Sequence, residues 1–253
     1  MTSIMRKTFL SFTALTAIAA VPALAEEAAF SDAQKEAIGP IVKEYLMENP
    51  NVIVEAMNAF QDRQREEAQK LAEQKIAENI TKLTSADMPS IGNPDADITV
   101  VEFFDYNCGY CKRALPDVQA VLEADKNVRF VFLEMPILGP TSRTAALWAL
   151  AADRQDKYFD FHVALMEHNG PKEERHLEKM AKDVGLDIEQ LKKDVADSAL
   201  EEELESIMSV AREVGVTGTP AFIVGKTFIP GYVGEHGLKG AIRVERDKIK
   251  NDG

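Results

Sequence analysis

The sequence predicts an α/β fold with a long helical insertion, preceded by a helical arm. Three observations carry this. The apolar run Ile98–Phe104, the helix-like Cys108–Glu123 and the apolar run Val128–Leu133 form a β-α-β unit, which places its two strands parallel. Residues 139 to about 214 read as helix and are too many for a simple crossover. Residues 26 to about 85 also read as helix, up to a breaker-rich boundary at 87–97.

Composition narrows the partners. The chain has 253 residues, 45% hydrophobic and 28% charged, enough for one sizeable core plus an appendage. Its net charge of −13 argues against nucleic acid, which needs a basic surface. At the start, Arg6 and Lys7 precede an apolar run from Phe9 to Val21, then Pro22 and Ala23-Leu24-Ala25, the three-part plan of a cleaved signal peptide. An uncleaved anchor is the competing reading. The expected organisation is a signal peptide at 1–25, a helical oligomerisation arm and stalk at 26–86, and a catalytic domain at 87–253. The signal directs the chain to the periplasm.

Within the arm, Ser31 with Gln34 has capping-box spacing. Ile38, Ile41, Val42, Tyr45 and Leu46 lie at helical spacing, with Gly39-Pro40 expected to interrupt or kink the helix. Asn49 is read as the N-cap of a second helix with Pro50 in its first position, and Val52, Ile53, Ala56, Met57 and Phe60 make its apolar stripe. Gln61–Lys70 is polar on all faces and suits a solvated stalk. Two short apolar helices cannot bury their stripes alone, so they predict self-association; folding back onto the next domain is the alternative.

In the catalytic part, Ile98–Phe104 is apolar on both faces except at Glu102, as in a strand covered on both sides. Pro116 is expected to kink the following helix. Helices are expected near 141–153, 156–167, 173–184, 188–196 and 199–214. A short hairpin at 221–224 and 227–229 and a final helix at 235–249 complete the chain.

The chemistry sits at the first strand–helix junction. Cys108 and Cys111 are the only two cysteines, spaced Cys-x-x-Cys. A structural bridge is the alternative, but so small a loop removes little unfolded-state entropy. Cys108 begins a helix, where free N–H groups and the positive dipole end stabilise a thiolate. Cys111, one turn further in, is placed to release a mixed disulfide. Gly109 and Tyr110 between them bring no charge. Glu102 is an anomaly in a buried strand: it either exchanges a proton with Cys111 through water or makes a salt bridge at the strand edge.

The run Glu102-Phe-Phe-Asp-Tyr-Asn-Cys-Gly-Tyr-Cys-Lys112, the helical insertion and the later Gly218-Thr219-Pro220 before a hairpin resemble the Dsb-type thioredoxin-fold family over about residues 90–250. The resemblance implies a thioredoxin fold, with Cys108 as nucleophile, Cys111 as resolving thiol and Glu102 as buried acid. It also implies a cis Thr219–Pro220 bond facing the dithiol, with Thr219 offering backbone hydrogen bonds to a substrate. From the residues alone Pro220 is equally an ordinary trans turn proline. Thr219 and the Gly109-Tyr110 dipeptide are similar to the disulfide isomerases. Residues 31–84 resemble the arm of suppressor-of-copper-sensitivity protein C, whose members join such a domain to an oligomerising segment.

The expected function is thus a periplasmic thiol–disulfide isomerase or reductase, with a monomeric dithiol oxidase as the alternative within the class. A copper-binding protein is the alternative outside it, since thiolates suit Cu(I), although His162, His168, His176 and His236 are scattered. A purely structural or holdase protein is the last. Expected partners are misfolded disulfide-containing exported proteins, a membrane redox partner, and further copies in a dimer or trimer. The chemistry calls for no cofactor and no resident metal.

Overall fold

The computed structural model describes residues 30–252. The expected signal peptide at 1–25 lies outside the described residues. The chain divides into two compact units, Met1–Ala59 and Phe60–Gly253.

In the first unit, α1 (Asp32–Glu48) opens on Ser31 with both halves of the capping box formed, and it continues through Pro40. None of its residues is buried. Asn49 proves to be its C-cap, with its N–H donating to the Tyr45 carbonyl, and α2 (Asn51–Leu83) starts one residue after Pro50. The expected N-cap role of Asn49 is therefore corrected: its N–H and its side-chain amide both donate back to the Tyr45 carbonyl of α1. Ile41, Tyr45, Met47, Val54 and Met57 stand exposed along this unit.

The second unit holds a five-stranded sheet in the order β1-β3-β2-β4-β5. It comprises β1 (Ser90–Gly92), β2 (Ile98–Phe104), β3 (Val128–Glu134), β4 (Ala221–Val224) and β5 (Thr227–Pro230). β2 and β3 run parallel, Ile98 opposite Val128 through Phe104 opposite Glu134. β4 lies antiparallel on the other side of β2, Glu102 opposite Phe222, and β5 forms the far edge. α3 (Gly109–Ala124) follows β2 and continues through Pro116. The insertion is α4 (Pro140–Asp153), α5 (Tyr158–Glu167), α6 (Glu174–Asp183), α7 (Ile188–Val195) and α8 (Ser198–Glu213), and α9 (Gly234–Asp252) closes the chain. No helix among the described residues is long and apolar enough to cross a membrane.

One feature departs from expectation. β1 pairs antiparallel with β3 inside the stretch read only as a boundary. Gly92 ends it at a φ of 104°, where an added Cβ would run into the Val128 carbonyl. Ile76 and Leu83 at the end of α2 are fully buried in the core of the second unit.

Candidate active site

β2 carries the site at its C-terminal end. Asp105, Tyr106 and Asn107 make the turn, and Cys108 is the N-cap of α3, extended at φ −76° and ψ 116°. Asp105 is buried and held from several sides. Its Oδ1 accepts from the Asn107 N–H at 2.7 Å and the Ser142 hydroxyl at 2.8 Å, and its Oδ2 accepts from the Leu138 N–H at 2.9 Å. The Cys108 N–H closes the turn onto the Asp105 carbonyl at 3.0 Å.

The two thiols are free, and their environments differ. Cys108 is lowered to about 5: the Cys111 thiol donates to it, and the Thr219 hydroxyl and the N–H groups of Cys111 and Tyr110 add to this against the opposing effect of burial. Cys111 is fully buried, and desolvation pushes its pKa far up, followed by its hydrogen bond to Cys108. One thiol is thus the ready thiolate and the other the reservoir of the proton.

Thr219 lies opposite, the Cys108 Sγ reaching its carbonyl at 3.3 Å. The Thr219–Pro220 bond is cis. The carbonyl contact suits a thiol and the hydroxyl contact suits a thiolate; the several donors together prevail. Glu102 is 2% exposed on β2, and burial foremost, then the charge of Cys108, raises it to about 8. It makes no salt bridge among the described residues, so the strand-edge ion pair is not what holds it there.

Tyr110 is exposed beside the pair, with the Arg113 guanidinium 5.1 Å from its ring centre and the Tyr232 ring 6.1 Å away. The Tyr232 hydroxyl donates to Asp117 at 2.7 Å. Lys112, directly after Cys111, donates to the His168 carbonyl, and Lys172 reaches the same oxygen at 3.4 Å. Lys172 is lowered to about 8, mainly by burial and then by Lys112.

All the expected site residues therefore meet in one place: Cys108, Gly109, Tyr110 and Cys111 on α3, Glu102 on β2, and Thr219 and Pro220 before β4. Sequence reasoning passed over Asp105, Tyr106 and Glu134. Glu134 carried a readable signal, being a carboxylate at the end of an apolar strand run just as Glu102 interrupts one.

A mixed sheet of this order with an acidic thiol at the start of α3 and a second, buried thiol one turn inside it defines a thiol–disulfide oxidoreductase. Residues 99–243 match the DSBA-like thioredoxin domain, and the chain belongs to that family. Residues 34–67 match the copper resistance protein ScsC N-terminal domain, so the oxidoreductase is of the DsbA and ScsC type. The chain is similar to a thioredoxin-like oxidoreductase from Silicibacter pomeroyi DSS-3, with 43% identity and a TM-score of 0.64, over 66% of this chain and 97% of that one. It is similar to Proteus mirabilis ScsC in a transitional conformation, with 28% identity and a TM-score of 0.64, over 87% of this chain and 99% of that one. It is also 31% identical over 135 residues to the Na(+)/H(+) antiporter NhaA 1 of Salinispora arenicola, 53% of this chain but 21% of that protein. The chain thus spans about a fifth of the length of that relative.

Proposed function

We propose that this oxidoreductase works as a periplasmic disulfide isomerase or reductase on exported proteins, assembled through residues 26–86 and exported by a signal peptide at 1–25. The observation that carries the direction is the N-terminal unit, whose two helices keep Ile41, Tyr45, Met47 and Met57 exposed. Copies joined along that stripe bring several dithiols to one client.

In the proposed cycle the Cys108 thiolate attacks a client disulfide. The client S–S bond breaks, one client sulfur leaves as a thiolate, and the other is bonded to Cys108 Sγ. If the freed client thiolate, or another in the client, attacks that mixed disulfide, the bond is reshuffled with no net redox change. If Cys111 attacks instead, its proton passes to Glu102, whose ionised fraction grows once the Cys108 charge is consumed in the mixed disulfide, the client leaves reduced, and the Cys108–Cys111 disulfide forms. A membrane redox partner then returns two electrons. The Thr219 carbonyl, with Pro220 fixing its loop, receives the client backbone, and Gly109 and Tyr110 flank the bound strand. Exposed Ile137, Leu138, Tyr232 and Val233 offer apolar surface for an unfolded client.

Reactivation of a scrambled disulfide protein, run beside the mass by light scattering, tests this. An oligomer that reactivates the scrambled protein is expected, with Cys108→Ser inactive. A monomer that oxidises dithiols rapidly and reactivates nothing would overturn the isomerase reading in favour of the oxidase.

A further inference from the structure

Beneath the catalytic turn lies a polar cluster that the exchange cycle does not use. The Tyr106 and Tyr158 hydroxyls both donate to Glu134 Oε1 at 2.9 Å, and the Tyr106 oxygen lies 3.2 Å from His162 Nδ1. All four side chains are at most 5% exposed. The His162 ring packs among Phe104, Phe132 and Phe159, with centroids 4.7 to 5.9 Å away. Burial lowers His162 to about 3, so it is a neutral partner, and burial raises Glu134. The titratable groups facing Tyr106 are Glu134 from β3, Tyr158 and His162 from α5, and Glu102 from β2.

Such a cluster is an expensive way to fill an aromatic core. A buried carboxylate loses hydration that hydrogen bonds only partly return, and apolar side chains of similar volume would pack there at no such cost. What it provides is directionality, because a satisfied buried network admits one arrangement. Tyr106 is two residues before Cys108. The thiolate depends on the N–H groups of Tyr110 and Cys111 and on the Cys111 thiol, all short-range contacts. Asp105 pins one side of the turn to Leu138 and Ser142, and Tyr106 pins the other to β3 and α5.

We propose that Tyr106, Glu134, Tyr158 and His162 form a positioning network that ties the turn before Cys108 to the helical insertion and thereby sets the reactivity of the Cys108 thiolate. These are positioning residues; none of them touches the reacting sulfur. The inference rests on Cys108 being the attacking thiolate, and the experiment separates the two.

The test titrates the thiolate absorbance of the full reduced chain and measures its exchange equilibrium with glutathione. The variants are Tyr106→Phe, Glu134→Leu and Glu134→Gln. Tyr106→Phe keeps the volume and removes one donor. It is expected to raise the Cys108 midpoint so that proton affinity increases roughly threefold to tenfold, the range for one lost hydrogen bond, and to make the disulfide less oxidising in step. Glu134→Leu is expected to do the same, while Glu134→Gln, whose amide oxygen still accepts both phenol protons, stays near the parent. A folded Tyr106→Phe with the parent's midpoint and equilibrium overturns the proposal, as does a Glu134→Gln shift equal to that of Glu134→Leu. If Glu134→Leu does not fold, Tyr106→Phe and Glu134→Gln decide. A lower melting point with an unmoved midpoint means a purely structural cluster and also overturns it. An ordinary midpoint near 9 in the parent, with Cys108→Ser still active, would instead sink the assignment of the nucleophile.

Discussion

Removing the Cys111 thiol should make Cys108 a weaker acid, and the size of the effect follows from the site. Cys108 sits at about 5 against an ordinary 9.0, with the Cys111 hydrogen bond as the largest cause. At pH 7 the folded thiol is ionised, two units above its pKa, and the unfolded thiol is protonated. The reduced fold then gains about 2.7 kcal/mol, at 1.36 kcal/mol per unit over the two units from 5 to 7. Because the folded pKa is the lower one, this gain is complete above 9 and is lost as pH falls through 5. The oxidised protein has no such group, so the same energy makes the disulfide more oxidising by roughly 60 mV. A hydrogen bond to a charged group contributes about 1.5–3 kcal/mol, so Cys111→Ala should raise the Cys108 midpoint by roughly one to two units. The assay is thiolate absorbance against pH on the reduced parent and on Cys111→Ala. The parent should show one step near 5 and none from Cys111 up to pH 10. A parent step near 9, or a Cys111→Ala midpoint equal to the parent's, would refute the reasoning.

Glu102→Gln should stabilise the reduced protein in a pH-dependent way. The carboxyl is raised from 4.5 to about 8, so its burden is absent below 4.5, grows through that window and is constant above 8; by pH 7 the variant should lead by about 3 kcal/mol in unfolding free energy, while release of mixed disulfides slows. A pH-independent difference would count against a titrating Glu102. On the proposed assembly, Ile41→Glu with Met57→Glu should lower the light-scattering mass to that of one chain and leave reduction of a small disulfide intact, since both side chains are exposed in the N-terminal unit. Arg246→Met should cost about 1–2 kcal/mol in chemical denaturation, because its guanidinium joins Asp97 at 2.7 Å and Asp125 at 2.8 Å while remaining partly exposed; an unchanged midpoint would show the clamp to be ornamental.

What could be read beforehand, and what could not, follows from the range of each signal. Ile98–Phe104 and Val128–Leu133 announce buried strands because each is a long, mostly apolar run between breakers, and two of the five insertion helices open on an aspartate cap, Asp187 and Asp197. β1 escaped because three residues between Pro89 and Asn93 have no period to detect; their pairing is dictated by the free edge of β3. Within α2, one unbroken helix, only tertiary packing tells buried Ile76 from exposed Leu71. At the site, the cysteines and Glu102 stood out locally. The approach of Thr219 to Cys108, 111 residues away in sequence, came only through the family resemblance. His162 reads as one of four scattered histidines, and Glu134 is passed over, until β3 and α5 bring them to the same tyrosine.

The dithiol by itself does not choose a direction of exchange. A Cys108 pKa near 5 leaves the thiol fully ionised at neutral pH, which an isomerase needs for attack. The same acidity makes it a good leaving group and its disulfide oxidising, which an oxidase needs. Lowering the pKa further would gain no thiolate and would lose nucleophilicity, so the pair is already at the point where chemistry ceases to discriminate. On the proposed reading, the discriminating variable is how long a client stays beside several such thiolates. A client held at millimolar effective concentration meets a second attack before it escapes, and reshuffling then outruns release. The apolar face of α1 and the start of α2 would therefore decide the outcome of a reaction carried out on α3. Ile41→Glu with Met57→Glu should accordingly leave client reduction per thiol unchanged and abolish reactivation of scrambled protein. Equal loss of both activities would place the direction of exchange back in the active site.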